Sequence, residues 1–177
     1  MKLIEKTYKK EKVYYGKAVN FCNDVVLLPN NQKATREYID HPGAVAVIPF
    51  LNKKDIILVK QFRYPINKIT YEIPAGKLDK KESLIKCVKR ELKEETGYSA
   101  KKIKKLLSFW PTPAFSNEVL HIYIAAELSS GKNCPDDDEF VENVIISYKE
   151  ALQMVKNGKI KDSKTIIALT YLGLDNK

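Results

Sequence analysis

The chain has 177 residues, 44% of them hydrophobic and 30% charged, a length that suits one well-packed domain and is short for two of ordinary size. No stretch of continuous apolar sequence approaches what a helix needs to cross a bilayer, so a soluble protein is expected. Thirty-one basic against 22 acidic residues give a formal charge of +9, which points to anionic ligands, yet the lysines are scattered and the densest run, Lys101-Lys102-Ile103-Lys104-Lys105, has no interleaved aromatics to stack on bases, so nucleic acid is not the expected partner.

The N-terminal residues Met1 to Lys6 show neither an apolar core of signal-peptide length nor a small-residue cleavage site, and the cytoplasm is the expected location. Val13 to Tyr15, Val25 to Leu28 and Thr35 to Ile39 read as short strands separated by Gly16 and Pro29-Asn30-Asn31. Residues 1–40 thus form a small antiparallel sheet with little core of its own, an element that calls for a partner surface. From residue 41 to 177 the pattern is firmer. Ala44 to Ile48 and Ile56 to Val59 are near-continuous apolar runs and read as the buried strands of a hairpin. Tyr71-Glu72-Ile73 is a further strand, Asp79 to Thr96 a helix, and Leu106 to Trp110, Val119 to Ala126 and a segment around Val144 to Ile146 strands. Helices follow over about Lys149 to Lys156 and Ser163 to Leu174. Strands interrupted by one central helix and closed by others predict an α+β fold, an α/β/α sandwich. Cys22, Cys87 and Cys134 are far apart, with no CxxC pair, and the only histidines are His41 and His121, so neither a disulfide framework nor a zinc site is implied.

The central helix carries the chemistry. Each helical residue turns by about 100°, so positions spaced three, four and seven apart share a face. Leu84, Cys87 and Val88 define a buried stripe that continues through Glu91 and Glu95, with Glu94 at its edge. Lys86, Lys89 and Lys93 fall on the opposite side. Carboxylates placed where the helix meets the protein, away from the lysines that could neutralise them, require a cation, and hard oxygen donors suit magnesium or manganese. Asp79-x-x-Glu82 reads as a capping box at the helix start, and Gly97 as its C-terminal cap.

Gly76, five residues, Glu82, seven residues, then Arg90-Glu91-Leu92-Lys93-Glu94-Glu95-Thr96-Gly97 resembles the Nudix box, with Tyr98 in place of the usual aliphatic residue after it. The likeness runs along nearly the whole chain and is similar to the ADP-ribose pyrophosphatase branch of that hydrolase family. Tyr71 to Asp79, His41 to Val47, Lys60-Gln61-Phe62-Arg63 and Pro111-Thr112-Pro113-Ala114-Phe115-Ser116-Asn117-Glu118 carry it, with Ala114 standing where glycine is commoner. The resemblance implies a Nudix fold with a mixed sheet, metal held by the Ala75 carbonyl, Glu91, Glu95 and Glu94, and a further ligand or water-activating base in the acidic loop Asp136 to Glu142, Glu139 first and Glu142 second. Arg90 and Glu94 join the catalytic set. Arg36, Glu37, Arg63, Lys77 and Glu118 become substrate contacts, Arg63 with the strongest physical reason, since a guanidinium grips phosphate with two donors. The branch also implies a homodimer formed through the N-terminal sheet.

The reaction so implied is metal-dependent hydrolysis of ADP-ribose to AMP and ribose 5-phosphate. Its competitors are the same chemistry on another nucleotide, a non-catalytic ADP-ribose sensor, and an RNA-binding or decapping protein. The intact carboxylates and the lack of spare length for a DNA-binding helix pair weigh against the sensor.

Overall fold

The computed structural model describes residues 3–131 and 140–174. They fall into two compact units, one built from the residues up to Gly43 together with Trp110–Val119, the other from Ala44–Phe109 and the residues from Leu120 onward.

In the first unit β3 (Asn20–Leu27) is the spine. The short strands β1 (Lys6–Lys9) and β2 (Lys12–Tyr15) pair with it antiparallel along one edge, Lys6 opposite Leu27 and Tyr14 opposite Phe21. β4 (Lys33–Asp40) lines the other edge, from Asn20 opposite Asp40 to Leu27 opposite Lys33. Period-two alternation buries Cys22, Asp24 and Val26 of β3, whereas every residue of β1 and β2 is exposed. The inward Asp24 is satisfied by the backbone N–H of Glu11 at 2.9 Å and the Tyr38 hydroxyl at 3.1 Å. Asn117 ties residues 110–119 to β4: its carboxamide donates to Asp40 at 2.9 Å and accepts from the His41 N–H at 2.7 Å.

The second unit has a four-stranded sheet in the order β8 (Ala75–Lys77), β5 (Ala44–Pro49), β10 (Leu120–Ser130), β9 (Tyr98–Phe109), in which β5 and β10 run parallel and the other pairs antiparallel. A three-stranded antiparallel sheet sets β6 (Asp55–Arg63) between β11 (Val141–Ser147) and β7 (Lys68–Glu72). Every residue of β5 is buried because both its faces are covered. Ala44, Ala46 and Ile48 join Leu120 and Ile122 in a core completed by Ala151 and Met154 of α2 (Tyr148–Lys156) and Ala168, Leu169 and Leu172 of α3 (Ser163–Leu174). Val45 and Val47 join Tyr123 and Ala125 against Cys87, Val88 and Leu92 of α1 (Leu84–Thr96). The result is the expected α+β sandwich with helices on both faces of a mixed sheet.

Three local expectations are corrected. The apolar runs of β5 and β6 do not form a hairpin ladder; apart from a bridge between Phe50 and Ile56 they belong to different sheets. Both are covered on two faces, so their sequences carry no alternation to say which neighbour each should take. The strand expected from Leu106 begins instead at Tyr98 and ends at Phe109, so the lysine run is part of an edge strand, where charges discourage pairing with other chains. A register shift opposite Ile122 and Tyr123 disrupts the alternation that would have marked it. Finally, α1 starts at Leu84 with Ser83 as its extended N-cap residue, not at Asp79. Lys81 lies in the left-handed region at φ 65° and ends any helical run there. Asp79 to Glu82 is a turn, closed by the Glu82 N–H on the Asp79 carbonyl at 3.0 Å.

The far end of α1 is as expected. Gly97 takes φ 77° and its N–H caps the Lys93 carbonyl at 2.8 Å. We expect Gly97→Ala to lower unfolding stability by about 1 kcal/mol, the cost of a Cβ in the left-handed region, in urea denaturation.

Candidate active site

Helical phase puts Glu91 and Glu95 on the inward stripe of α1, 7% and 4% exposed, while Lys86, Lys89 and Lys93 face solvent. What makes room for them is a missing side chain. Gly76 of β8 pairs with Val45, and a Cβ added there would lie 1.9 Å from the Glu91 carboxyl, so that carboxylate rests directly on the strand backbone. One turn on, Glu95 accepts the N–H of Ala75 at 3.2 Å.

Arg90 gathers the remaining acids. It donates through Nε and Nη2 to Glu82 at 3.0 and 2.9 Å, and through Nη1 to Glu91 at 2.5 Å and Glu94 at 3.0 Å, while Nη2 also reaches the Lys77 carbonyl at 3.0 Å. The hydrogen bond to Arg90 is the main reason the Glu82 carboxyl is held down at about 2, and it raises the guanidinium pKa in turn. Arg90 therefore acts on carboxylates rather than standing as an isolated i,i+4 pair. Beneath it the Cys87 thiol, pushed up to about 12 first by burial, stays protonated and packs as a core residue.

These side chains fit a hard divalent cation in chemistry: oxygen donors, mostly buried, with an acid surplus around a single arginine. Among the described residues no three His, Cys, Asp or Glu side chains form a metal-binding group.

The structure brings Ala75, Gly76, Lys77, Glu82, Arg90, Glu91, Leu92, Glu94 and Glu95 to the α1–β8 junction, with Gly97 closing the helix. Other expected residues lie elsewhere. Glu142 on β11 is exposed and paired with Lys60 at 2.8 Å. Glu139 lies outside the described residues. Arg36, Glu37 and Glu118 belong to the other unit. There Arg36 grips Glu5 through Nε at 2.9 Å and also through Nη2. With Glu37, Tyr38, Trp110 and Phe115 it lines a cleft of about 590 Å³.

Arg63 reveals a network that sequence reading missed. Its Nε and Nη2 make a two-point contact with Glu72 at 2.8 and 2.7 Å, Thr70 donates to the same carboxylate at 2.6 Å, and Lys164 of α3 donates to the oxygen that also accepts from Arg63 Nη2. Lys164 also meets Asp162 at 2.9 Å, which accepts from the N–H and hydroxyl of Thr165; that hydroxyl accepts the Ile73 N–H at 2.9 Å. Tyr71-Glu72-Ile73 reads only as a strand, and nothing in the sequence announces a partner for Glu72 that lies 92 residues away.

Burial, the largest influence on Glu72, would raise its pKa; the bonds and charges of Arg63, Lys164 and Thr70 outweigh it and hold the carboxyl at about 2. Because the folded pKa is depressed, this stabilisation is fully present above the ordinary value of 4.5 and is lost as pH falls towards 2. We expect Glu72→Gln to cost on the order of 3 kcal/mol near neutral pH, and the gap to the parent to close between about pH 5 and pH 2 in urea titrations. Gly76→Ala should displace Glu91 and lower activity by about 100-fold or more, with weaker divalent-cation binding by calorimetry, because a displaced ligand loses both contact and orientation.

A model described as the NUDIX domain matches residues 40–169. The chain is 46% identical over 172 residues to the methanol dehydrogenase activator of Bacillus methanolicus, covering 96% of this chain and 93% of that protein. It is 44% identical over 174 residues to the ADP-ribose pyrophosphatase of Bacillus subtilis (strain 168), covering 97% and 94%. A GDP-mannose pyrophosphatase of Yersinia enterocolitica is 35% identical over 148 residues, 77% of this chain and 76% of that protein. The crystal structure of an ADP compounds hydrolase superposes with a TM-score of 0.84 over 98% of this chain and 95% of that one, a likeness of fold at 18% identity.

Proposed function

The chain belongs to the Nudix family, and from that premise we propose that it is a hydrolase that cleaves the diphosphate of ADP-ribose to AMP and ribose 5-phosphate. The observation that carries the reading is the pair of buried carboxylates, Glu91 against the Gly76 backbone and Glu95 on the Ala75 N–H, in a chain that matches an ADP-ribose pyrophosphatase over 97% of its length.

In this reading Glu91, Glu95 and the Ala75 carbonyl, with Glu94 beside them, hold a divalent cation, magnesium with manganese as a substitute. That ion would neutralise the diphosphate and lower the pKa of the attacking water. Arg90 keeps Glu91 and Glu94 fixed through the two bonds of its Nη1. Glu139 takes the proton from water as general base, with Glu142 second. Water's oxygen bonds to one phosphorus as the bridging P–O bond breaks, and the leaving phosphate departs on the other product. Arg63 and Lys77 serve as substrate contacts in this reading, as do Arg36, Glu37 and Glu118.

Assembly is part of the proposal. Residues 1–40 serve as a dimerisation sheet and residues 41–177 as the hydrolase domain. Tyr8, Val13, Tyr14 and Tyr15 on the exposed strands β1 and β2 supply apolar surface for a second copy. Among the described residues no helix is long and apolar enough to cross a membrane, and residence in the cytoplasm completes the reading.

The 46% identity to a methanol dehydrogenase activator favours a second reading, activation of a dehydrogenase. Adding the chain to purified methanol dehydrogenase separates the two: a rate increase without AMP release from ADP-ribose supports the second. A substrate panel with magnesium and product identification tests the first, and ADP-ribose should outrank GDP-mannose and other nucleotides. Glu95→Gln should abolish turnover, by about 100-fold or more, with an unchanged thermal transition; near-normal activity would overturn the metal assignment.

A further inference from the structure

The network around Glu72 balances two cations against two anions: Arg63 and Lys164 against Glu72 and Asp162. Its members differ in access to solvent. The side chains of Glu72, Lys164 and Asp162 are 2%, 13% and 17% exposed, but that of Arg63 is 44% exposed. Arg63 spends Nε and Nη2 on Glu72, and among the described residues its guanidinium makes no further hydrogen bond. It is the outlet of the network, and the other three stand behind it.

We propose that Lys164 is a positioning residue for phosphate binding: by sharing the Glu72 carboxylate with Arg63, it lets that carboxylate orient the guanidinium while the four-member set stays neutral instead of net negative towards the diphosphate. A carboxylate that fixes a guanidinium by two hydrogen bonds also cancels its field, so a locked arginine is a poor anion receptor unless a second cation restores the balance. Lys164 occupies that place, held there by Asp162, which itself anchors the first turn of α3 through Thr165. Without the lysine charge the set turns from neutral to net negative. The inference rests on the reading of Arg63 as the group that meets the substrate diphosphate.

The alternative, that Lys164 only docks α3, makes different predictions. We would measure the dissociation constant of inorganic pyrophosphate by calorimetry, and KM and kcat for ADP-ribose, in Lys164→Met, Lys164→Arg and Asp162→Asn, each with and without Arg63→Met. Lys164→Met should weaken pyrophosphate binding and raise KM about tenfold, with kcat changed less than about threefold, since uniform binding is what is lost. Lys164→Arg should restore both. Asp162→Asn, which adds one positive charge, should shift affinity the opposite way. In the Arg63→Met background Lys164→Met should make no further difference, because its route is gone. An unchanged affinity in Lys164→Met, an equal loss with Arg63 absent, or a loss confined to kcat overturns the proposal. If circular dichroism shows that Lys164→Met does not fold, Asp162→Asn decides alone: tighter pyrophosphate binding supports it, and unchanged or weaker binding overturns it. Failure of the parent chain to release AMP from ADP-ribose would overturn the substrate reading alone, since the pyrophosphate series needs no turnover.

Discussion

Buried carboxylates on the inward face of α1 are the constraint around which the second unit is arranged. Placing Glu91 and Glu95 where apolar side chains would be stabilising is tolerable only if backbone N–H groups, a guanidinium or a cation answer them. The strand beside the helix has therefore given up a side chain at Gly76, turned the Ala75 N–H towards Glu95, and offered the Lys77 carbonyl to Arg90.

The segment from Glu72 to Lys77 shows how far that arrangement reaches. The Glu72 carboxylate is held by Arg63 and Lys164, the Ile73 N–H by Thr165, and the Pro74 carbonyl by the Val47 N–H at 2.9 Å. Ala75, Gly76 and Lys77 then meet Glu95, Glu91 and Arg90 in turn. Six consecutive residues are thus fixed by α1, α3 and two sheets. A site built this way is preorganised by the fold: the carboxylate that holds Arg63 and the backbone on which Glu91 and Glu95 rest sit on one short stretch, and displacement of either should be felt by the other.

The core follows the same logic in apolar form. β5 sends alternate residues to two helical layers, Val45 and Val47 to α1, Ala44, Ala46 and Ile48 to α2 and α3. The small alanines let one helical layer close on the sheet, and α1 is seated by Cys87, Val88 and Leu92 on the other. The first unit lacks such a core. Its main strand buries Cys22, Asp24 and Val26, and its outer strands bury nothing.

Much of this was legible in the chain before folding was considered. Periodicity alone put Glu91 and Glu95 on the stripe of Cys87 and Val88, because helical phase is a local property. The glycine cap, the two C-terminal helices and the two-faced burial of the Ala44 run were readable for the same reason. The start of α1 was not, since Lys81 in a left-handed turn carries no compositional mark, and neither was the long edge strand, whose lysines and register shift obscure its alternation. The division of β5 and β6 between two sheets, the bond of Arg63 to Glu72 and the reach of Lys164 across 92 residues belong to tertiary structure alone. Sequence spacing fixes which side chains share a face, whereas partners far apart in the chain are chosen by the packing of the whole unit.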